Sequence, residues 1–367
     1  MSCFDMSSLI TLFKSACTLA TAFMVGFWIL KFQKNDDLSV IEYTELQEVK
    51  NVVYPEFSIC FLRPFLVNKI EEINKNISFD EYSQYLEGKE EIDERYRYIN
   101  FNNVSFELFH HLSDYEVKWK DGNETKCEDR QKCSFATFKI SFEGSIFKRF
   151  YRCFSVGIKE TLQTHVKFLV LKFKASLLKP LSEIRDANKR PDIAMATFNY
   201  PQQVLKFSES TTYIWRDSKK SVKNSFAITA MEILKRRNKY KKPCVVDWMH
   251  FDNLVSNKHL ETIGCRTPYQ NTLKPICGTR REMLESVYDL SIVRKKYYPD
   301  PCEEMSNIVY SFNKLGHSHG TWLGIEIAYP DKIKIITQSQ SVDAQSLIGN
   351  IGGYIGLFLG KGVKYKT

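Results

Sequence analysis

Leu347-Ile-Gly-Asn-Ile-Gly-Gly-Tyr-Ile-Gly-Leu-Phe-Leu-Gly360 is an apolar run carrying five glycines, Gly349, Gly352, Gly353, Gly356 and Gly360, and one side-chain amide, Asn350. Spacing by four puts Gly352, Gly356 and Gly360 on one helical face and Gly349 with Gly353 on an adjacent one. Each glycine costs a core helix about 1 kcal/mol against alanine, so such a density requires a purpose. Small faces let membrane helices approach closely, and a bundle around a narrow axis needs that. Asn350 would be costly in lipid if unsatisfied, so it is predicted to face the bundle axis or a neighbouring subunit. As a helix, Leu347 to Leu359 covers about 20 Å, short of the roughly 30 Å hydrocarbon core. A tail, Lys361-Gly-Val-Lys-Tyr-Lys-Thr367, follows. The expectation is a second membrane span that begins and is not completed.

At the other end, Leu9 to Leu30 is apolar except for Lys14. That length suffices for a spanning helix if Lys14 snorkels to the headgroups. A cleaved signal peptide is the rival reading, but bulky Met24, Phe27, Trp28 and Leu30 fill the end where small residues should sit.

Between the two apolar segments lie eight of the ten cysteines, Cys60 to Cys302, and three glycosylation sequons at Asn76, Asn103 and Asn123. An even cysteine number beyond a membrane segment favours disulfides in an oxidising compartment, and the sequons point to the same side. Residues from about 35 onward are therefore expected outside the cell. A zinc site is not expected, because the Cys265 to Cys277 spacing is wrong for a CxxC pair and His317 and His319 lack companions. The net charge of +9 is spread among 43 acidic residues, so no nucleic-acid partner is expected. The basic run Lys235 to Lys242 reads as a solvated extracellular segment. No Gly-x-Ser-x-Gly elbow, His-Glu-x-x-His or phosphate loop is present, so the chain is not expected to be an enzyme.

The middle reads as mixed α and β. Ile70 to Ile99 is predicted helix-rich with breaks. Phe135 to Phe142 and Val166 to Phe173 are predicted strands, and Phe226 to Leu234 is ambiguous between strand and helix. Trp322 to Ile336 holds two strand-like runs separated by a turn at Tyr329-Pro-Asp.

Two patches carry a resemblance. Tyr54-Pro-Glu-Phe-Ser-Ile-Cys60 is similar to the motif Phe-Pro-x-Val-Thr-Ile-Cys-Asn that follows the first span of the degenerin/epithelial sodium channel family, with Phe61 in place of the Asn. Leu347 to Gly360 resembles that family's Leu-x-x-Asn/Asp-x-Gly-Gly-x-x-Gly-Leu-x-x-Gly pattern leading into the pore. The patches at Pro243-Cys-Val-Val-Asp-Trp248, Gly264-Cys-Arg-Thr-Pro-Tyr269, Pro275-Ile-Cys277 and Pro301-Cys302 look like a shortened form of its thumb region.

The resemblance implies an α+β membrane protein with a cytoplasmic N-terminus (1–8), a complete first transmembrane helix (9–31) and a disulfide-rich extracellular domain (32–343). An incomplete second, pore-forming helix (344–360) and an atypical tail (361–367) follow. The extracellular domain is expected to have a β-sheet palm with finger and thumb helices. Implied disulfides are Cys60–Cys153, Cys127–Cys133, Cys244–Cys302 and Cys265–Cys277; sequence alone leaves 105 pairings open. The implied function is a subunit of a homo- or heterotrimeric channel in the plasma membrane. It would pass sodium as the transported ion, with no cofactor, and take amiloride-like blockers. Gly349 and Asn350 would form the upper pore mouth, and Gly349 matches a position where side-chain bulk hinders closure.

Two departures stand beside this, and one acidic run needs its own reading. Lys361 and Gly362 occupy the place of a small residue and Ser, and a ring of lysines would repel cations. Two expectations follow: a sequence left incomplete after Gly360, or a truncated, non-conducting subunit that binds and modulates channel partners. The usual Trp before the first thumb cysteine is absent, with Lys241 near that place. The acidic residues Glu90, Glu91, Asp93 and Glu94 read as a solvated helix face, with proton sensing as the alternative.

Overall fold

The computed structural model describes residues 6–34, 36–46, 54–89, 91, 93–127, 133, 135–146, 149–159, 166–174, 194–199, 212–214, 221–239, 243–286, 299–315 and 323–359. The long helix α1 (Met6–Lys34) leads directly into strand β1 (Asp37–Glu45). It extends beyond the expected 9–31 at both ends, because nothing between Met6 and Lys34 breaks a helix. Its 29 residues reach about 43 Å.

Two sheets face each other across one core. The eight-stranded sheet runs β1, β13 (Lys332–Gln340), β10 (Val222–Lys235), β12 (Leu323–Ala328), β7 (Val166–Phe173), β3 (Leu112–Trp119) and β4 (Glu124–Cys127), with β11 (Glu303–Leu315) also paired to β10. The five-stranded sheet runs β5 (Ala136–Ile146), β6 (Arg149–Ile158), β2 (Glu56–Leu62), β8 (Ala194–Asn199) and β9 (Thr212–Ile214). The ambiguous Phe226–Leu234 stretch is strand because it lies in the middle of the larger sheet. Its first half pairs in parallel with β12 and its second half with β13, while β11 runs antiparallel along its other edge.

Alternation explains the sandwich. Phe57, Ile59 and Phe61 of β2 all point into the shared core, and Phe57 meets Phe226 of β10 at 5.4 Å between ring centroids. Tyr115 of β3 meets Phe138 of β5 at 5.2 Å. Burying each such ring removes roughly 150–250 Å² from water, which is what holds two sheets face to face.

The expected helix-rich stretch is α2 (Val67–Ile73), α3 (Phe79–Leu86) and α4 (Glu94–Arg97), followed by α5 (Phe101–Val104). Ser78 and Glu81 close a capping box at the start of α3. These helices form a second core around Phe65, Tyr82, Tyr85, Phe101 and Phe150, which also takes in Cys265, Tyr269, Cys277 and Met283. Two further helices among the described residues are α6 (Trp248–Ile263) and α7 (Arg280–Ser286). Gly264, at φ 82°, ends α6 in the left-handed conformation that suits glycine.

A buried carboxylate ties the helical unit to the sheet. Glu87 accepts from Arg63 Nε at 2.9 Å and Nη2 at 3.0 Å, and from Lys89 Nζ at 2.6 Å. Its side chain is fully shielded from solvent. Burial raises its pKa, but the Arg63 and Lys89 contacts outweigh that and hold it below the usual carboxylate value. Removing one partner strands the other charge, so Glu87→Ala is expected to destabilise the domain by about 3–5 kcal/mol in chemical denaturation. A depressed carboxylate stabilises above its unfolded pKa and loses that contribution as pH falls through the folded one. The advantage of the native chain over Glu87→Gln should therefore be full at neutral pH and shrink on acidification.

Candidate functional site

The two apolar helices leave one end of a two-stranded ribbon. β1 and β13 are antiparallel, with Asp37 opposite Gln340 and Glu45 opposite Lys332. The pairing continues one step further, where the Ser341 amide donates to the Asp36 carbonyl at 2.9 Å. α8 (Ala344–Leu359) begins four residues beyond Gln340, and Asp343 caps it by accepting from the Ser346 amide at 2.6 Å. Thus the end of α1 lies next to the start of α8, and α1 packs along α8.

Among the described residues, one helical stretch, Thr11–Lys34, is long and apolar enough to cross a membrane. It is not a core helix of a soluble domain: Leu12, Phe13, Leu19 and Phe23 are each about 70% exposed. Its hydroxyls need no water, because Ser15, Thr18 and Thr21 each donate to the carbonyl four residues back. Lys14 is exposed near the N-terminal end, where snorkelling is possible.

In α8 the half-shielded residues Leu347, Asn350, Ile351 and Tyr354 follow i, i+3, i+4, i+7 spacing, with Gly356 half-shielded off that row, and α1 is the element packed against this helix. Gly349, Gly352, Gly353 and Gly356 have the same spacing on the opposite side. The two glycine rows expected from the sequence are therefore one stripe. A methyl group placed on any of these four glycines meets no atom within 4 Å. The stripe is open among the described residues, apart from its own helix. Asn350 lies beside it, about 100° around the helix from Gly349 and half-shielded. Gly360, Lys361 and Gly362 lie outside the described residues.

The structure pairs Cys60 with Cys153, Cys127 with Cys133, Cys244 with Cys302, and Cys265 with Cys277. Cys60 and Cys153 are direct cross-strand partners of β2 and β6. Cys244–Cys302 ties the segment before α6 to the start of β11, and Cys265–Cys277 closes the single loop between α6 and α7. Among the described residues no group of three or more His, Cys, Asp or Glu side chains could hold a metal ion. Asn76, Asn103 and Asn123 are all exposed, as glycan attachment requires.

Two sequence readings change. Within the acidic run, Glu90 lies outside the described residues, and Asp93 is engaged. It caps α4 and binds Arg95 at 2.6 Å, which holds its carboxyl below the usual range. The basic run is also not simply solvated. Arg236 binds Glu304, while Arg237 and Lys239 both bind Asp37. The pairing of Asp37 was not legible in the sequence because its partners lie about 200 residues away and only the fold brings them together.

No family model matches this chain, and no curated protein matches it. The resemblance read from Tyr54–Cys60 and Leu347–Gly360 therefore rests on those residues. Solved structures with similarity include a proton-activated chloride channel, at 7% identity and a TM-score of 0.34, covering 96% of this chain and 93% of that one. Erv41p is similar at 5% identity and a TM-score of 0.26, covering 81% of this chain and 99% of that one. At those scores neither likeness bears on what this chain does.

Proposed function

We propose that this chain is a subunit of a trimeric, sodium-selective channel of the plasma membrane, with α8 lining the pore and amiloride-like compounds blocking it. The observation that carries the reading is the open glycine stripe on a helix that shares its sheet ribbon with a lipid-compatible one. An apolar helix with a small-residue face needs close helical neighbours. Among the described residues the element packed on this helix is α1, on the other side, so copies of α8 are the fitting partners. Three such helices around an axis would bring Gly349 and Asn350 to its outer mouth. The two sheets and four disulfides then form the extracellular body.

The test is voltage clamp of cells expressing the chain, alone and with related channel subunits. Sodium current that amiloride reduces, and that disappears when a large organic cation replaces sodium, is the expected result. Full surface expression without such current, alone or with related subunits, would overturn the reading. Orientation has its own check. Each of Asn76→Gln, Asn103→Gln and Asn123→Gln should remove one glycan's mass on a denaturing gel, and glycosidase treatment should remove all three.

A further inference from the structure

We propose that Trp28 is a positioning residue for Asn350, its indole N–H donating to the carboxamide oxygen between α1 and α8; its effect on current rests on the channel reading, whereas the bond itself does not. Along α1 the shielded residues Thr21, Met24, Trp28, Lys31 and Phe32 recur at steps of three and four, so they form one face. α8 packs against that helix, and its own shielded row is Leu347, Asn350, Ile351 and Tyr354. Depth then matches the two rows. From the point where the Ser341 amide donates to the Asp36 carbonyl, both helices lead away from the ribbon. Trp28 is six residues from the end of α1 and Asn350 is six from the start of α8, about 9 Å along each axis. Lys31 with Leu347, and Met24 with Tyr354, fall into register in the same way.

Trp28 carries an unmet need. Its Nε1 is shielded from solvent and has no hydrogen-bond partner among the described residues. An unpaired N–H in apolar surroundings costs the full desolvation of that group. The ring is held from two sides, since Phe27 meets it edge-on at 5.9 Å and the Lys31 ammonium lies 5.2 Å from its centre. Asn350 is the side-chain amide at that depth on the opposing row, and its oxygen is an acceptor that lipid cannot satisfy. One bond between them removes both deficits. It also keeps the carboxamide on the α1 side of Gly349 and Gly353, so that the glycine stripe stays clear for a neighbouring helix.

The experiment is nitrogen-15 NMR of the full chain in detergent micelles with labelled tryptophan, the Trp28 indole signal being assigned by its loss in Trp28→Phe. Asn350→Leu should shift the indole proton to higher field and speed its exchange with deuterium by about threefold or more, the average worth of a polar pair inside a membrane bundle. Asn350→Asp, which keeps an acceptor, should leave both near their native values. A signal unmoved by Asn350→Leu, or moved equally by Asn350→Asp, overturns the bond. Facing is tested by cross-linking with Cys3 and Cys17 replaced by serine. Trp28→Cys with Asn350→Cys should form an intrachain disulfide on mild oxidation, and Trp28→Cys with Gly352→Cys should not; the reverse pattern overturns the proposal. In voltage clamp, Trp28→Phe and Asn350→Leu should change the open fraction by similar factors and, combined, by no more than either alone. Fully additive effects would overturn the positioning role. A native chain without current would count against the channel reading while leaving the indole signal to decide the bond.

Discussion

Replacing Cys60 and Cys153 together by alanine is expected to destabilise the two-sheet body by about 3–5 kcal/mol. The bond closes a sequence separation of 93, for which loop-closure entropy alone gives somewhat under 5 kcal/mol. Both residues are completely buried, on the outward side of β2 and β6, so each alanine also leaves space that the sheet cannot readily fill. Phe61 and Phe154 sit beside them and hold the opposite face against the core. Loosening this pair of strands would therefore expose the sandwich. Urea denaturation of the purified chain, monitored by tryptophan fluorescence, measures the loss. A midpoint shift no larger than that of a surface control would show that the bond adds little. The shorter Cys127–Cys133 link closes a separation of only 6 and should cost less when removed.

Gly353→Leu is expected to abolish assembly and current while leaving the single chain as stable as before, or slightly more so. The two effects separate because they involve different neighbours. Among the described residues a methyl group added at residue 353 meets nothing within 4 Å outside its own helix, and leucine favours a helix over glycine by about 1 kcal/mol. Between chains, the added bulk would hold neighbouring α8 helices apart by several ångström, and close packing is the chief attraction available in lipid. Light scattering of the detergent-solubilised protein should show loss of the trimer, and surface biotinylation should show whether the chain still reaches the membrane. Trimers and current retained in Gly353→Leu would remove the glycine stripe from the assembly. Gly353→Ala, with one methyl group, should retain most of both.

Several features were legible from residues near one another in sequence. The β-branched and aromatic run Val166–Phe173 is a strand over those same residues, and Tyr329-Pro-Asp separates β12 from β13 as a turn should. Phe226–Leu234 could not be resolved locally, because its pattern suits either a helix or a buried strand. Its neighbours on both edges of β10 decided it. The basic run was misread for the same reason. Charge spacing shows that Arg236, Arg237 and Lys239 are polar, not what they bind. Glu87 shows the limit from the other side, since nothing in its local sequence marks it as the buried partner of Arg63.

What the sequence by itself determined is local and covalent in origin: an apolar helix after Met6, a glycine-spaced helix before Gly360, and oxidisable cysteines and sequons between them. Helical and strand periods follow from backbone geometry within a few residues, so these are readable without a fold. Tertiary structure alone decided that β1 pairs with β13, that the glycines share one open face away from α1, and that Asp37 meets Arg237 and Lys239. Those facts depend on strand register and helix rotation. Both are set by burial of distant side chains such as Phe57 and Phe226, which no local pattern encodes.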